Sequence, residues 1–216
     1  MTKQVQPPAL APSSEQRRTD IETRVLLDGA KVLRSSGKAP RIRGYAAVFG
    51  RKSEDLGGFR EQIAAGAFAD AIGRDDVRAL VNHDPNLVLG RNRSGTLIMR
   101  EDANGLAVEI TPPDTQAARD LVALMERGDV SQMSFAFSVS KEGQSWQRTQ
   151  AGWLRTIRKV SRLFDVSVVT LPAYPDASAA VRHLRQLTGG AAPGAPDAAT
   201  RRRHLEILAI DPLGPR

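Results

Sequence analysis

The chain has 216 residues, 41% of them hydrophobic, with no cysteine and only three histidines. This suits one globular domain with ragged ends and excludes disulfides, thiolate catalysis and Cys-based zinc sites; three histidines also argue against a His-rich metal centre. The net charge of +7 sits in the ends: residues 1–43 hold nine basic and four acidic groups and residues 182–216 six and three, whereas 44–181 hold sixteen and seventeen, a balance that speaks against a groove-reading nucleic-acid fold.

Residues 1–20, with Pro7, Pro8, Pro12 and paired serines, show no periodicity and are expected to be a disordered arm. They lack the apolar core of a secretion signal, and no run in the chain approaches the ~18 apolar residues of a membrane span, so a cytoplasmic protein without membrane contact is the expectation. A strand is predicted at 23–27, followed by a turn at Asp28-Gly29. A second is predicted at 41–49, where Gly44 would allow a bulge or a close backbone approach. A short apolar segment, Phe59 to Ile63, precedes a short helix at 66–72.

Val77, Ala79 and Val81 alternate in the next predicted strand, which runs to His83 and is stopped by Asp84-Pro85. A histidine at a strand end is well placed to face a cleft, although a plain loop histidine fits the same pattern. Strands at 95–99 and 106–110 flank Asn104-Gly105, which has the chemistry of a tight hairpin turn. After Pro112-Pro113 comes the clearest helix. Asp114 or Thr115 can cap it, Ala117, Leu121, Leu124 and Met125 form its stripe, and Gly128 closes it.

The stretch Gln132 to Val139 organises the rest. Met133, Phe135, Phe137 and Val139 fall on one face, and Ser134, Ala136 and Ser138 on the other. Period-2 alternation predicts a half-buried strand. Ser134 would then stand among small residues on a rigid, open surface, which suits a nucleophile. An ordinary strand serine is the plain alternative. A hairpin is expected over 139–157, with Gly143 and Gly152 near its turns and Trp146 and Trp153 covering the sheet. In the strand from Leu163, Asp165, Ser167 and Val169 alternate with Val166, Val168 and Thr170. A carboxylate there needs a partner, either an arginine or the N–H of a histidine. A final helix is expected at 177–187, and 188–216 reads as an Ala/Pro/Gly/Arg-rich tail whose end, His204 to Ile210, could dock.

These elements define an α+β chain, mainly β, organised as an arm (1–20), one domain (21–187) and a tail (188–216). In a cysteine-free chain, a well-placed Ser, His and strand carboxylate permit acyl transfer by an activated serine. Ser134 would attack, His83 would take its proton, and Asp165 would orient the imidazole. No Gly-x-Ser-x-Gly elbow supports an α/β-hydrolase. No cofactor and no metal are expected.

Three motifs in order, Val81-Asn82-His83-Asp84, Gly128 to Phe137, and Phe164 to Pro175, resemble the head maturation proteases of tailed phages. The segments Gly44 to Phe49 and Glu61 to Phe68 look like that family too, and the likeness spans roughly residues 22–182. The resemblance implies a prohead serine endopeptidase related to herpesvirus assembly proteases, with an antiparallel β-barrel-like core flanked by helices. It implies His83 as base and Ser134 as nucleophile. The family often has Glu where this chain has Asp165, and in the herpesvirus relatives a second histidine fills the third role, for which His183 is the alternative here. An oxyanion donor is expected near residues 172–174. The implied substrates are the scaffold and the major capsid protein, cleaved inside the procapsid in the host cytoplasm; portal contact and a homo-oligomer are further expectations, and specific nucleic-acid binding is not one. The rival reading is a catalytically inactive assembly or scaffold protein of the same fold.

Overall fold

The computed structural model describes residues 21–170 except 27, 28, 38, 57 and 151, and beyond them residues 184 and 188. The expected arm, the Asp28-Gly29 turn, the tail, His183 and residues 172–174 therefore lie wholly or largely outside the described residues, as does all of the expected final helix but Leu184.

Twelve strands and two α-helices make up the described residues. In chain order they are β1 (Glu22–Leu26), β2 (Ala30–Leu33), β3 (Arg41–Val48), β4 (Phe59–Ile63), α1 (Ala69–Arg74), β5 (Arg78–Val81), β6 (Asp84–Arg91), β7 (Leu97–Glu101), β8 (Gly105–Ile110), α2 (Gln116–Arg127), β9 (Gln132–Ser138), β10 (Gln144–Thr149), β11 (Gly152–Ile157) and β12 (Arg162–Val169). The mainly β, α+β class is as expected. Closure is not: the strands form three open sheets, ordered β1-β9-β12-β5-β6, β2-β3-β8-β7 and β10-β11-β4. Two pairings, β12 with β5 and β11 with β4, are parallel. A parallel pair needs a long crossover, so no local hairpin signal announces it.

One core fills the space between the sheets and helices. Met133, Phe135 and Phe137 of β9 enter it, Phe135 meeting Phe68 edge to face at 5.5 Å and Phe137 stacked at 4.8 Å. Each such ring, fully buried, contributes roughly 1.5–3 kcal/mol. A second cluster, Phe59 and Leu184 with Leu56, Trp146 and Trp153, covers the β10-β11-β4 sheet, as expected for the two tryptophans.

Local signals hold with adjustments. A Cβ on Gly44 would lie 1.8 Å from the Gly29 carbonyl oxygen, so only glycine permits that approach. Thr115 caps α2 by accepting from the Ala118 N–H, and Gly128 ends it at φ 85°. The buried stripe of α2 is Ala118, Leu121, Val122 and Met125, whereas Ala117 and Leu124 are exposed; the stripe is rotated by about one position from the expected one. At the β7–β8 connection, Asn104-Gly105 is not a positive-φ pair. Asp102 makes the turn instead, its Oδ1 accepting from the Asn104 and Gly105 N–H groups at 2.8 and 3.1 Å.

Candidate active site

Three adjacent strands, β9, β12 and β5, carry the candidate residues. Ser134 lies directly opposite Ser167 of β12 in the antiparallel pairing, and opposite Val25 of β1 on its other side. β12 runs parallel to β5, with Val168 beside Val81. A register shift between Leu163 and Asp165 marks a bulge, the kind of irregularity that re-aims a side chain.

His83 reaches the site through an unusual turn. Val81 pairs with Asp84, so only Asn82 and His83 join β5 to β6, at φ 52° and 59°. Two consecutive left-handed residues are what a two-residue hairpin matched to strand twist requires. Asn tolerates this region, while His held there stores strain of order 1 kcal/mol. Asn82 is tied down: its N–H donates to Val168 O at 2.9 Å, and its Oδ1 accepts from the Thr170 N–H at 2.9 Å. The turn is thus latched to the end of β12, and the imidazole folds back over that strand. Asp84-Pro85 begins the returning strand rather than stopping the chain, and β6 is an edge strand, where proline is tolerated.

The result is a continuous hydrogen-bonded line. His83 Nδ1 lies 2.6 Å from Asp165 Oδ1, and His83 Nε2 lies 2.7 Å from Ser134 Oγ. The carboxylate can only accept, so the ring proton belongs on Nδ1; Nε2 is then left to accept from the serine hydroxyl. The partner of the Asp165 carboxylate is therefore the histidine, not an arginine. Ser167, on the same face two residues beyond Asp165, donates to Asp165 Oδ1 at 2.7 Å and lies 3.3 Å from His83 Nδ1. Neither Ser167 nor Asn82 stands out in the sequence as a site residue. The available signals were the i, i+2 spacing from Asp165 and the left-handed tolerance of an Asn just before His83.

Burial differs from expectation at Ser134. β9 is buried on both faces, and Ser134 is 0% exposed rather than standing on an open surface. His83 is the more accessible member, with 20% of its side chain exposed against 12% for Asp165. A cavity of about 360 Å³ does adjoin β9, but Arg24, Val25, Leu26, Ala47, Ile63 and Phe135 are among the residues that line it, and Ser134, His83 and Asp165 are not. Hydrogen-bond geometry, not concavity, locates this site.

A strand serine hydrogen-bonded to a carboxylate-held histidine is the constellation of a serine hydrolase. The family model for the caudovirus prohead serine proteases matches residues 29–188, and the chain belongs to that family. It is 34% identical over 149 residues to the prohead protease of Enterobacteria phage HK97, an alignment covering 67% of this chain and 60% of that protein. The chain thus spans about 60% of the length of that relative. The bacteriophage T4 capsid assembly protease, gp21, shares 14% identity at a TM-score of 0.39, over 68% of this chain and 98% of that one. That likeness is loose.

Proposed function

We propose that this protein is a serine endopeptidase that cleaves scaffold and capsid-protein segments within a procapsid. The observation that carries the reading is the line Asp165–His83–Ser134, with contacts of 2.6 and 2.7 Å between residues 82 and 51 positions apart in sequence. Membership of a family of serine proteases acting in phage proheads supports it. Ser134 Oγ attacks the scissile carbonyl carbon while its proton passes to His83 Nε2. The π electrons move to the carbonyl oxygen and return as the C–N bond breaks. Nε2–H then protonates the departing amine, leaving an acyl-serine. Water, deprotonated by the same nitrogen, hydrolyses that ester and restores the serine. Throughout, Asp165 holds the imidazole by Nδ1 and stabilises it when charged.

With Ser134 wholly buried, a peptide reaches Oγ only after that face opens, so cleavage is expected to depend on assembly with substrate. The capsid protein and scaffold are its substrates in this reading, the procapsid in the host cytoplasm its place of action, and no helix among the described residues is long and apolar enough to cross a membrane. The test is mass spectrometry of the chain co-expressed with its capsid protein, wild type beside Ser134→Ala and His83→Ala. Defined products in wild type that vanish in both variants establish the reading. Products that persist in both remove Ser134 and His83 from it, and intact substrate in every sample, including assembled particles, favours the inactive scaffold protein.

A further inference from the structure

Ser167 is a polar side chain at the site that the scheme above leaves without a role. It is 0% exposed, and a buried hydroxyl needs a partner. Its one proton has a well-placed acceptor, Asp165 Oδ1 at 2.7 Å, which is the same oxygen that receives the His83 Nδ1–H at 2.6 Å. With the proton so committed, the Ser167 oxygen presents lone pairs toward Nδ1, 3.3 Å away. Nδ1 therefore faces two acceptors, a short one and a longer one, and no donor among the described residues.

We propose that Ser167 is a positioning residue of the protease, acting on Asp165 and His83 rather than on substrate; the inference rests on the reading of Ser134 as nucleophile. Its hydroxyl pins the Asp165 carboxylate in the rotamer that meets the imidazole. Its lone pairs add a second acceptor that holds the ring proton on Nδ1 and keeps Nε2 free to take the Ser134 proton. The aspartate side chain is one methylene shorter than glutamate, so the imidazole must be met close to the β12 backbone. There a hydroxyl two residues along the same strand face can reach the same oxygen. Being opposite Ser134 in the ladder, Ser167 also fixes its own height relative to the nucleophile through the sheet and not through a loop.

The experiment uses the full chain and two readouts. Labelling of Ser134 by a small fluorophosphonate reports whether the serine is activated at all. Steady-state cleavage of a synthetic peptide spanning the cleavage site mapped in the capsid protein then separates kcat from KM. In Ser167→Ala, and in Ser167→Cys, which keeps nearly the same volume but donates weakly, kcat is expected to fall about tenfold with KM within about twofold. Ser167→Thr, which keeps the hydroxyl, restores most of kcat. The low-field proton resonance of the His83 Nδ1–H···Asp165 bond shifts or broadens in the first two variants and is retained in the third. A kcat unchanged in Ser167→Cys, whatever happens to the melting temperature, overturns the inference, as does a Thr variant no better than Ala. Because Ser134 is buried in the free chain, each readout is also taken on particles co-assembled with the capsid protein; wild-type protein that neither labels nor cleaves there overturns the protease reading itself and takes this inference with it. Labelling and cleavage that do not respond to Ser167 remove only the inference.

Discussion

Two polar networks flank β9, and they are built on opposite plans. The Ser134–His83–Asp165 line has an open end: its histidine keeps 20% of its side chain in solvent, and one oxygen of its carboxylate serves both His83 and Ser167. Across β1 lies a closed network of Glu22, Arg24, Glu61 and Arg155, exposed by only 2, 7, 3 and 1%. There each guanidinium spans both carboxylates. Arg24 donates to Glu61 Oε1 at 2.8 Å and to Glu22 Oε2 at 2.6 Å, while Arg155 donates to Glu22 Oε2 at 2.6 Å and Glu61 Oε2 at 2.7 Å. Two negative and two positive charges cancel. Burial alone would raise the Glu22 carboxyl, but the hydrogen bond and charge of Arg155 and the charge of Arg24 outweigh it and hold the group below its ordinary value. Burial likewise opposes the charge on Arg24, and Glu61 and Glu22 override it. A network whose donors and acceptors are paired off in this way resists a change of protonation and serves as a clamp between β1, β4 and β11. One with an accessible imidazole in the middle can pass a proton.

The largest effects should come from the open network. Ser134→Ala and His83→Ala are each expected to reduce the rate of peptide cleavage by about 10³–10⁶-fold while leaving the melting temperature close to wild type. Asp165→Asn should cost on the order of 10³–10⁴-fold, because an amide can present its N–H to Nδ1 and favour the wrong tautomer. Cleavage rates alongside thermal melts check both. A cleavage loss that tracked a loss of folded protein would put these residues on the same footing as the clamp.

The closed network should answer the other way. Arg155→Met leaves two buried carboxylates sharing one guanidinium and is expected to destabilise by about 3–5 kcal/mol. In a chain of this size that lowers the melting temperature by about 6–20 °C. The activity of the molecules that remain folded should change little. Replacing all four charged residues together by apolar ones of similar volume should cost far less than the single change, since no charge is then stranded. A fourfold variant as unstable as Arg155→Met would show that geometry, not charge compensation, makes the clamp. Acid offers a gentler probe. Because the folded Glu22 carboxyl titrates below its ordinary 4.5, its contribution is fully present above that pH and is lost as pH falls through the depressed value. Melting temperature should therefore drop more steeply below pH 4.5 in wild type than in Glu22→Gln.

The two networks were unequally legible in the sequence. The open one could be approached because a single alternating octapeptide placed Ser134 on a strand, a strand end left His83 able to face a cleft, and an acidic residue in an apolar strand asked for a partner; it was the resemblance to the head maturation proteases, not spacing, that joined Ser134 and His83. The structure brings these three side chains together; their catalytic roles stand with the proposed function. The clamp left no comparable trace. Glu22 and Arg24 alternate with Thr23 and Val25 as a solvated strand face would, and Glu61 and Arg155 sit 37 and 133 residues from β1 neighbours they meet only through the sheet stacking. Burial on both faces of β9 was missed for a similar reason: Ser134 and Ala136 are small, and smallness reads equally as an open surface or as room for a close cover. The Asn82-His83 turn was hidden by Asp84-Pro85, a stronger breaker signal one residue later.

The smallest expected effect tests how far the open network depends on backbone. Asn82 does two things at once: it adopts φ 52° with less strain than most residues, and its Oδ1 accepts from Thr170. Asn82→Gly keeps the first and loses the second; Asn82→Ala loses both; Asn82→Asp keeps the acceptor and much of the left-handed tolerance. Stability is expected to fall by about 1 kcal/mol for Gly and about 2 for Ala, and to stay near wild type for Asp. If the latch to β12 is what aims the imidazole, cleavage should fall further than stability in the Gly variant, because a turn freed from Thr170 leaves the 2.7 Å contact between Nε2 and Ser134 unsupported. If cleavage instead follows the folded fraction in all three, the imidazole is held by its side-chain partners alone, and Ser167 and Asp165 carry the whole of its positioning.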